Sequence, residues 1–118
     1  YEPDGAVIRA RLIGDLARSM GAHMLDEHIA YMSSDTEMHS PFAATFEVVQ
    51  EYALDVKVLA KELKARGIGT LEIKKRGVDI DPAEFRKRLS LSGKNSASLF
   101  LTRFGERRVA ILAQRLPK

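Results

Sequence analysis

Residues 67–79, Gly-Ile-Gly-Thr-Leu-Glu-Ile-Lys-Lys-Arg-Gly-Val-Asp, constrain the fold more than any other stretch of the chain. Between glycines lies a short alternating run in which Leu71 and Ile73 fall on one face and Glu72, Lys74 and Arg76 on the other. That is the period of a strand with one side buried. Lys75 is in phase with the apolar pair, so it is expected where that face runs out at a sheet end. Helix signals stand on both sides. Asp55 precedes residues 56–66, where Val56, Leu59, Ala60 and Leu63 recur at helical spacing and Gly67 supplies the residue after the end. Asp81-Pro82-Ala83-Glu84 puts Asp at the N-cap, Pro at N1 and Glu at N3 of a short helix over 82–89, anchored by Phe85 and Leu89. A strand presenting cations beside buried aliphatics is either a platform for an anionic partner or an edge strand kept from aggregating by its lysines. The stretch by itself favours the edge strand.

The remaining segments extend the same architecture. Asp4 precedes a helix expected over residues 5–20 and stopped by Gly21, with Val7, Ile8, Leu12, Ile13, Leu16 and Met20 making a wide apolar face. Residues 28–34 read as a strand, and residues 44–53 as a second, with Phe46, Val48, Gln50 and Tyr52 opposite Glu47, Val49 and Glu51. After a polar connection over 90–96, residues 98–104 and 107–114 form a hairpin closed at Gly105-Glu106 by a two-residue type II′ turn. The order α-β-β-α-β-α-β-β implies an α/β fold of the α+β type: one two-layer domain with a mixed sheet of about five strands and three helices.

At 118 residues the chain is long enough for one modest core. No apolar run approaches the ~18 residues of a membrane span. The opening Tyr1-Glu2-Pro3-Asp4 has neither the basic nor the apolar region of a signal peptide and no initiator Met, so a piece of a longer chain is expected. The absence of cysteine excludes disulfides and thiolate metal sites and fits a reducing cytoplasm.

Catalytic signals are missing. There is no glycine-rich phosphate cradle and no P-loop. Asp79 and Asp81 have the spacing to share a cation, but Asp81 is explained as a helix cap. His23, His28 and His39 are irregularly spaced and lack supporting cysteines for zinc. Met20, Met24, Met32 and Met38 read as core fillers. No metal site is expected.

Charge is more informative. Residues 1–59 hold four Lys/Arg against ten Asp/Glu, a net of −6, while residues 60–118 hold fifteen against six, a net of +9. Such polarity can orient a polyanion or a neighbouring domain. The candidate nucleic-acid-binding residues are Lys74, Lys75 and Arg76, then Arg86, Lys87 and Arg88 on the short helix, and Arg107 and Arg108 at the hairpin. Arg103, Lys64 and Arg66 accompany them. All sit at element ends or turns, from which side chains reach a phosphate backbone. Cations near helix C-termini also complement the helix dipole. Phe104 and Tyr52 are available for base stacking, though core packing is the plainer use of both.

The opening Glu2-Pro3-Asp4-Gly5-Ala6-Val7-Ile8-Arg9-Ala10, the Leu71-Glu72-Ile73-Lys74-Lys75-Arg76-Gly77-Val78 run and the closing hairpin over 99–113 together resemble one family. It is the THUMP-like domain at the carboxyl end of certain bacterial class I S-adenosylmethionine-dependent methyltransferases. The resemblance implies an upstream Rossmann-like methyltransferase domain, with residues 1–22 as junction and first helix and residues 23–118 as the THUMP-like domain. It also implies a likeness to THUMP domains, which help RNA-modifying enzymes hold structured RNA. None of the cofactor-binding core is present, so this chain alone is expected neither to bind S-adenosylmethionine nor to methylate, and no catalytic residue carries over.

The function expected is therefore that of a cytoplasmic accessory domain that positions tRNA or rRNA for the upstream methyltransferase domain. Recognition would be of shape and phosphate, since no base-reading aromatic signature occurs. The alternative is a structural domain that docks on the methyltransferase domain, or on a second copy of itself, without touching nucleic acid. No membrane partner is expected, and the oligomeric state is open.

Overall fold

A computed structural model describes residues 1–117. In chain order its elements are β1 (Glu2–Pro3), α1 (Gly5–Arg9), α2 (Ile13–Met20), β2 (His23–Asp26), β3 (Ile29–Ser33), β4 (Ala43–Ala44), β5 (Phe46–Ala53), α3 (Val56–Ala65), β6 (Ile68–Lys75), α4 (Pro82–Leu89), β7 (Asn95–Phe104) and β8 (Arg107–Arg115). The fold is mixed α+β. The chain divides into two compact units, one of residues 1–47 with the stretch from Arg115, the other of residues 48–114.

The second unit is built on a four-stranded sheet in the order β5-β8-β7-β6. β7 and β8 are the expected antiparallel hairpin, and Gly105 takes the positive φ of 60° that a primed two-residue turn needs. β6 runs parallel to β7, from Ile68 opposite Asn95 to Lys75 opposite Leu101, with α4 as the crossover. α3 and α4 pack on one face. Leu59 and Leu63 of α3, Phe85 and Leu89 of α4, Ile68 and Leu71 of β6, Leu99 and Leu101 of β7, and Ala110 and Leu112 of β8 form its core. Both helices start as their sequences dictate. The Asp55 carboxylate accepts from the N–H groups of Lys57 and Val58 at 2.9 and 3.3 Å, and that of Asp81 accepts from Ala83 at 3.0 Å.

The sheet therefore has four strands rather than about five, and the basic strand β6 lies at its edge. β6 begins three residues before the alternating run, at Ile68, where a backbone junction holds its start. Gly93 lies so close to Gly67 and Gly69 that a Cβ on Gly69 would stand 2.1 Å from the Gly93 carbonyl oxygen, and one on Gly93 2.1 Å from that of Gly67. Beside it, Asn95 donates its N–H to the Gly67 carbonyl and its Nδ2 to the Arg66 carbonyl, each at 2.9 Å.

On β7 the hydroxyl of Thr102 is fully buried and meets no hydrogen-bond partner among the described residues. An unpaired buried hydroxyl costs about 1–3 kcal/mol. Thr102→Val, which keeps the shape, is expected to stabilise the chain by about 1 kcal/mol, and a lower calorimetric midpoint in the variant would contradict that isolation.

In the first unit, β1 pairs with β4 and β2 with β3, both antiparallel. Its core gathers Val7, Leu16, Ala17, Met20, Met32 and Ala43. The single helix expected over 5–20 is two helices, broken where Arg11 turns to φ 59°. The reason is geometric: Val7 and Leu16 are nine positions apart, which on a continuous helix sets them about 180° apart. The break lets both reach one core, at the cost of leaving Leu12 49% exposed. β2 was not expected. Its turn is set by Asp26, whose carboxylate accepts from the N–H of His28 at 2.9 Å. The strand expected over 44–53 is interrupted at Thr45, whose hydroxyl donates to Met38 O at 3.2 Å and whose carbonyl accepts from Leu116 at 2.9 Å. Among the described residues helices therefore number four rather than three, with two short two-stranded sheets added. Among the described residues no helix is long and apolar enough to cross a membrane.

Candidate nucleic-acid interface

Strand alternation sorts the cations of the basic stretch before any partner is considered. Leu71 is buried and Ile73 half-buried against the helices, and Lys75, next in phase, is exposed at the end of that face. Lys74 points the other way. Its side chain is only 20% exposed, and its Nζ lies 3.8 Å from Glu72 Oε2. Glu72 in turn accepts from the Ser98 hydroxyl at 3.0 Å. Arg76 is half-buried with its Nε out of solvent, and its N–H extends the parallel ladder to Leu101 O at 3.1 Å.

The hairpin cations have local work as well. Arg103 donates from Nε to Gly77 O at 2.9 Å and from Nη1 to Gly105 O at 2.8 Å, which ties the turn after β6 to the hairpin tip. Arg107 makes an ion pair with Glu51 at 3.0 Å and lies 5.2 Å over the Phe104 ring. Register places Arg108 opposite Arg103 on the helix side, in phase with Ala110 and Leu112. There it lines a cleft of about 680 Å³ with Arg88, Lys57, Asp55, Asp79, Asp81 and Glu84, floored by Leu54, Val56, Ile80 and Phe85. Four carboxylates thus interleave with three cations, and two of the four, Asp55 and Asp81, are already spent on capping helices. The cleft is a mixed-charge surface rather than a cationic one.

On α4 the Arg86 guanidinium donates from Nη1 to the Leu71 carbonyl, while Lys87 and Arg88 are exposed. Arg86 fastens helix to strand. Arg86→Ala is expected to lower the unfolding free energy by about 1–2 kcal/mol, read as a lower urea midpoint at unchanged slope; an unmoved midpoint would make the contact incidental. Tyr52 OH accepts from Arg66 Nε at 3.1 Å while its ring packs on the core, so both aromatics considered for base stacking have intramolecular contacts.

The structure thus brings Lys74, Lys75, Arg76, Arg103, Arg107 and Arg108 to one end of the sheet, where β6 stops and the hairpin turns. It does not bring Lys87 there, since α4 runs back from that end toward the start of β7. Sequence reasoning passed over Lys61 and Lys94. Lys61 stands one helical turn before Lys64, and Lys94 immediately precedes Asn95; the spacing Lys61-x-x-Lys64 was the available signal. Among the described residues no three His, Cys, Asp or Glu side chains gather as a metal site requires.

The family described as THUMP domain-like matches residues 43–115. Over 104 residues, 88% of this chain, the sequence is 40% identical to an uncharacterized S-adenosylmethionine-dependent methyltransferase of Mycobacterium tuberculosis, found in strains CDC 1551 / Oshkosh and ATCC 25618 / H37Rv. The match spans 28% of the length of those relatives. A crystal structure of a candidate methyltransferase from Porphyromonas gingivalis W83 superposes over 99% of this chain and 29% of its own, with a TM-score of 0.82 at 22% identity. That likeness is one of fold.

Proposed function

The chain belongs to the THUMP domain-like family, and on that footing we propose that it is the accessory, RNA-positioning part of an S-adenosylmethionine-dependent methyltransferase. The observation that carries this reading is the 40% identity to methyltransferases of which this sequence corresponds to little more than a quarter. The cofactor would belong to the remaining part of such a protein; this chain contributes binding. Its partners are then the methyltransferase domain and a structured RNA, tRNA or rRNA.

Among the cations named from the sequence, Lys75, Arg86, Lys87, Arg88, Arg107 and Arg108 are exposed. Of these, Lys75 and Lys87 lie outside the mixed-charge cleft and their side chains make no ion pair or hydrogen bond among the described residues, so they would contribute most freely to phosphate contacts. Lys74, Arg76, Arg86 and Arg107 would act from the positions their intramolecular contacts fix. If about six cations met phosphates, log affinity would fall with log salt at a slope on the order of −4 to −5. The test is an anisotropy titration of fluorescent bulk tRNA with this chain at low and moderate salt, beside Lys75→Glu and Lys74/Lys75/Arg76→Glu variants. Micromolar binding that weakens steeply with salt and with these substitutions supports the reading, and no binding at low salt sinks it.

One observation favours the alternative of a docking domain. β5 is a sheet edge whose Val48 and Val49 are 61% and 40% exposed, the kind of edge another chain segment pairs with. Val48→Lys would weaken such docking and leave RNA affinity unchanged, which separates the two readings.

A further inference from the structure

At the end of the sheet where β6 begins, three segments converge. α3 ends at Ala65 with Arg66 as its cap, α4 ends at Leu89 with Ser90 capping it in the left-handed conformation, and β7 starts at Asn95. Asn95 fastens them, bonding to both Arg66 and Gly67, while Gly93 lies against Gly67 and Gly69. The junction joins the end of α3, which carries Lys64 with Lys61 one turn before it, to the last turn of α4, which carries Lys87, and to the start of β7, which Lys94 precedes. All four are exposed, and none of their side chains makes an ion pair or hydrogen bond among the described residues. Residues 61–66 and 86–95 contain one carboxylate, the half-buried Glu62. At the other end of the sheet Lys74 and Arg107 are paired with Glu72 and Glu51, and Arg88 and Arg108 line a cleft with four carboxylates, which leaves Lys75 as the exposed cation there most like these four.

Two of these lysines have a local explanation, because Lys64 and Lys87 sit in last turns and complement helix dipoles. Lys61 and Lys94 do not. We propose that Lys61, Lys64, Lys87 and Lys94 form a second surface that holds the phosphate backbone of a folded RNA. This rests on the RNA-positioning reading above, regroups Lys87 with residues at the opposite end of the sheet, and extends the reading to Lys61, Lys64 and Lys94.

Lysine chemistry favours phosphate over a protein partner. Four mobile, strongly hydrated ammonium groups suit a repeating anion, whereas protein interfaces are depleted in Lys and depend on aromatic or Arg anchors. The large apolar side chains exposed near these lysines are limited to Val58, 43% exposed one turn before Lys61, and Val49 in a cleft of about 300 Å³ shared with Arg66, Asn95, Ser96 and Gln114 over the buried Ile68 and Leu112. α3 packs beside α4, and packed helices lie about 8–10 Å axis to axis, so the two helix ends reach more than one phosphate.

The test titrates fluorescent bulk tRNA with the 118-residue chain and with its Lys61/Lys64/Lys87/Lys94→Glu variant, and a Lys→Gln set stands in should the Glu set lose its thermal transition. The expected result is at least tenfold weaker binding and a log–log salt slope shallower by about 3. If the wild type binds and the variant binds within twofold of it, this surface is overturned while the RNA-positioning reading stands. If the wild type binds no tRNA, the reading itself fails and takes the surface with it. Displacement of tRNA by poly-glutamate at matched charge would assign the surface to an acidic polypeptide and overturn the proposal.

Discussion

Gly93→Ala is expected to unfold the 48–114 unit at moderate denaturant, with a loss on the order of 3–5 kcal/mol. Two effects add. A Cβ on Gly93 would stand 2.1 Å from the Gly67 carbonyl oxygen and 2.4 Å from its carbon, so backbone rather than a flexible side chain must move. Its φ of +149° is also one that a Cβ disfavours. Gly69→Ala meets the same wall from the other strand, with Gly93 O, N and C at 2.1, 2.7 and 2.8 Å. The loss is a large part of the roughly 5–15 kcal/mol by which such chains are stable. Gly105→Ala is the control: its φ is +60° but nothing lies within 4 Å of the added carbon, so about 1 kcal/mol is expected. Guanidinium unfolding of the three variants decides it. Should Gly93→Ala cost no more than Gly105→Ala, close backbone approach is not what this position requires.

Leu101→Ala is expected to cost about 3–4 kcal/mol. Leu101 is 0% exposed in the core beneath α3 and α4, and its strand pairs with β6 on one side and β8 on the other. Removing the side chain leaves a cavity walled by two strands and two helices, none of which collapses easily into it. Val48→Ala, on the exposed edge strand, is expected to stay within about 0.5 kcal/mol. Urea denaturation of both variants checks the contrast, and comparable losses would mean that the packing of β7 is not what stabilises this unit.

The segments legible in the sequence were those whose signals are local. Asp55 and Asp81 marked helix starts because a side-chain cap acts within three residues, and the Gly105 turn marked the hairpin for the same reason. The break at Arg11 was hidden because it answers a tertiary demand, the need for Val7 and Leu16 to face one core, and neither residue shows it alone. β2 was hidden because His23 and Asp26 look like loop residues until Ser33 and Ile29 pair with them. For the candidate interface, the sequence located the cations but not their partners. Lys74 and Glu72 are two apart on one strand face, a proximity that alternation implies, whereas Arg107 and Glu51 are 56 positions apart and meet only through the sheet. Lys94 is a lone lysine in a Gly/Ser-rich connection, and the bond that fastens the next residue, Asn95, reaches Arg66, 29 positions earlier in the chain.

The parallel pairing of β6 with β7 also sets an order in time. The β7–β8 hairpin closes a two-residue turn and can form within microseconds. β6 can join it only after α4 has been laid down between them and the Gly93 junction has closed. The edge strand carrying Lys74 and Lys75 should thus be a late arrival in folding. Substitutions in the hairpin are expected to slow refolding, whereas those at the junction act chiefly by hastening unfolding.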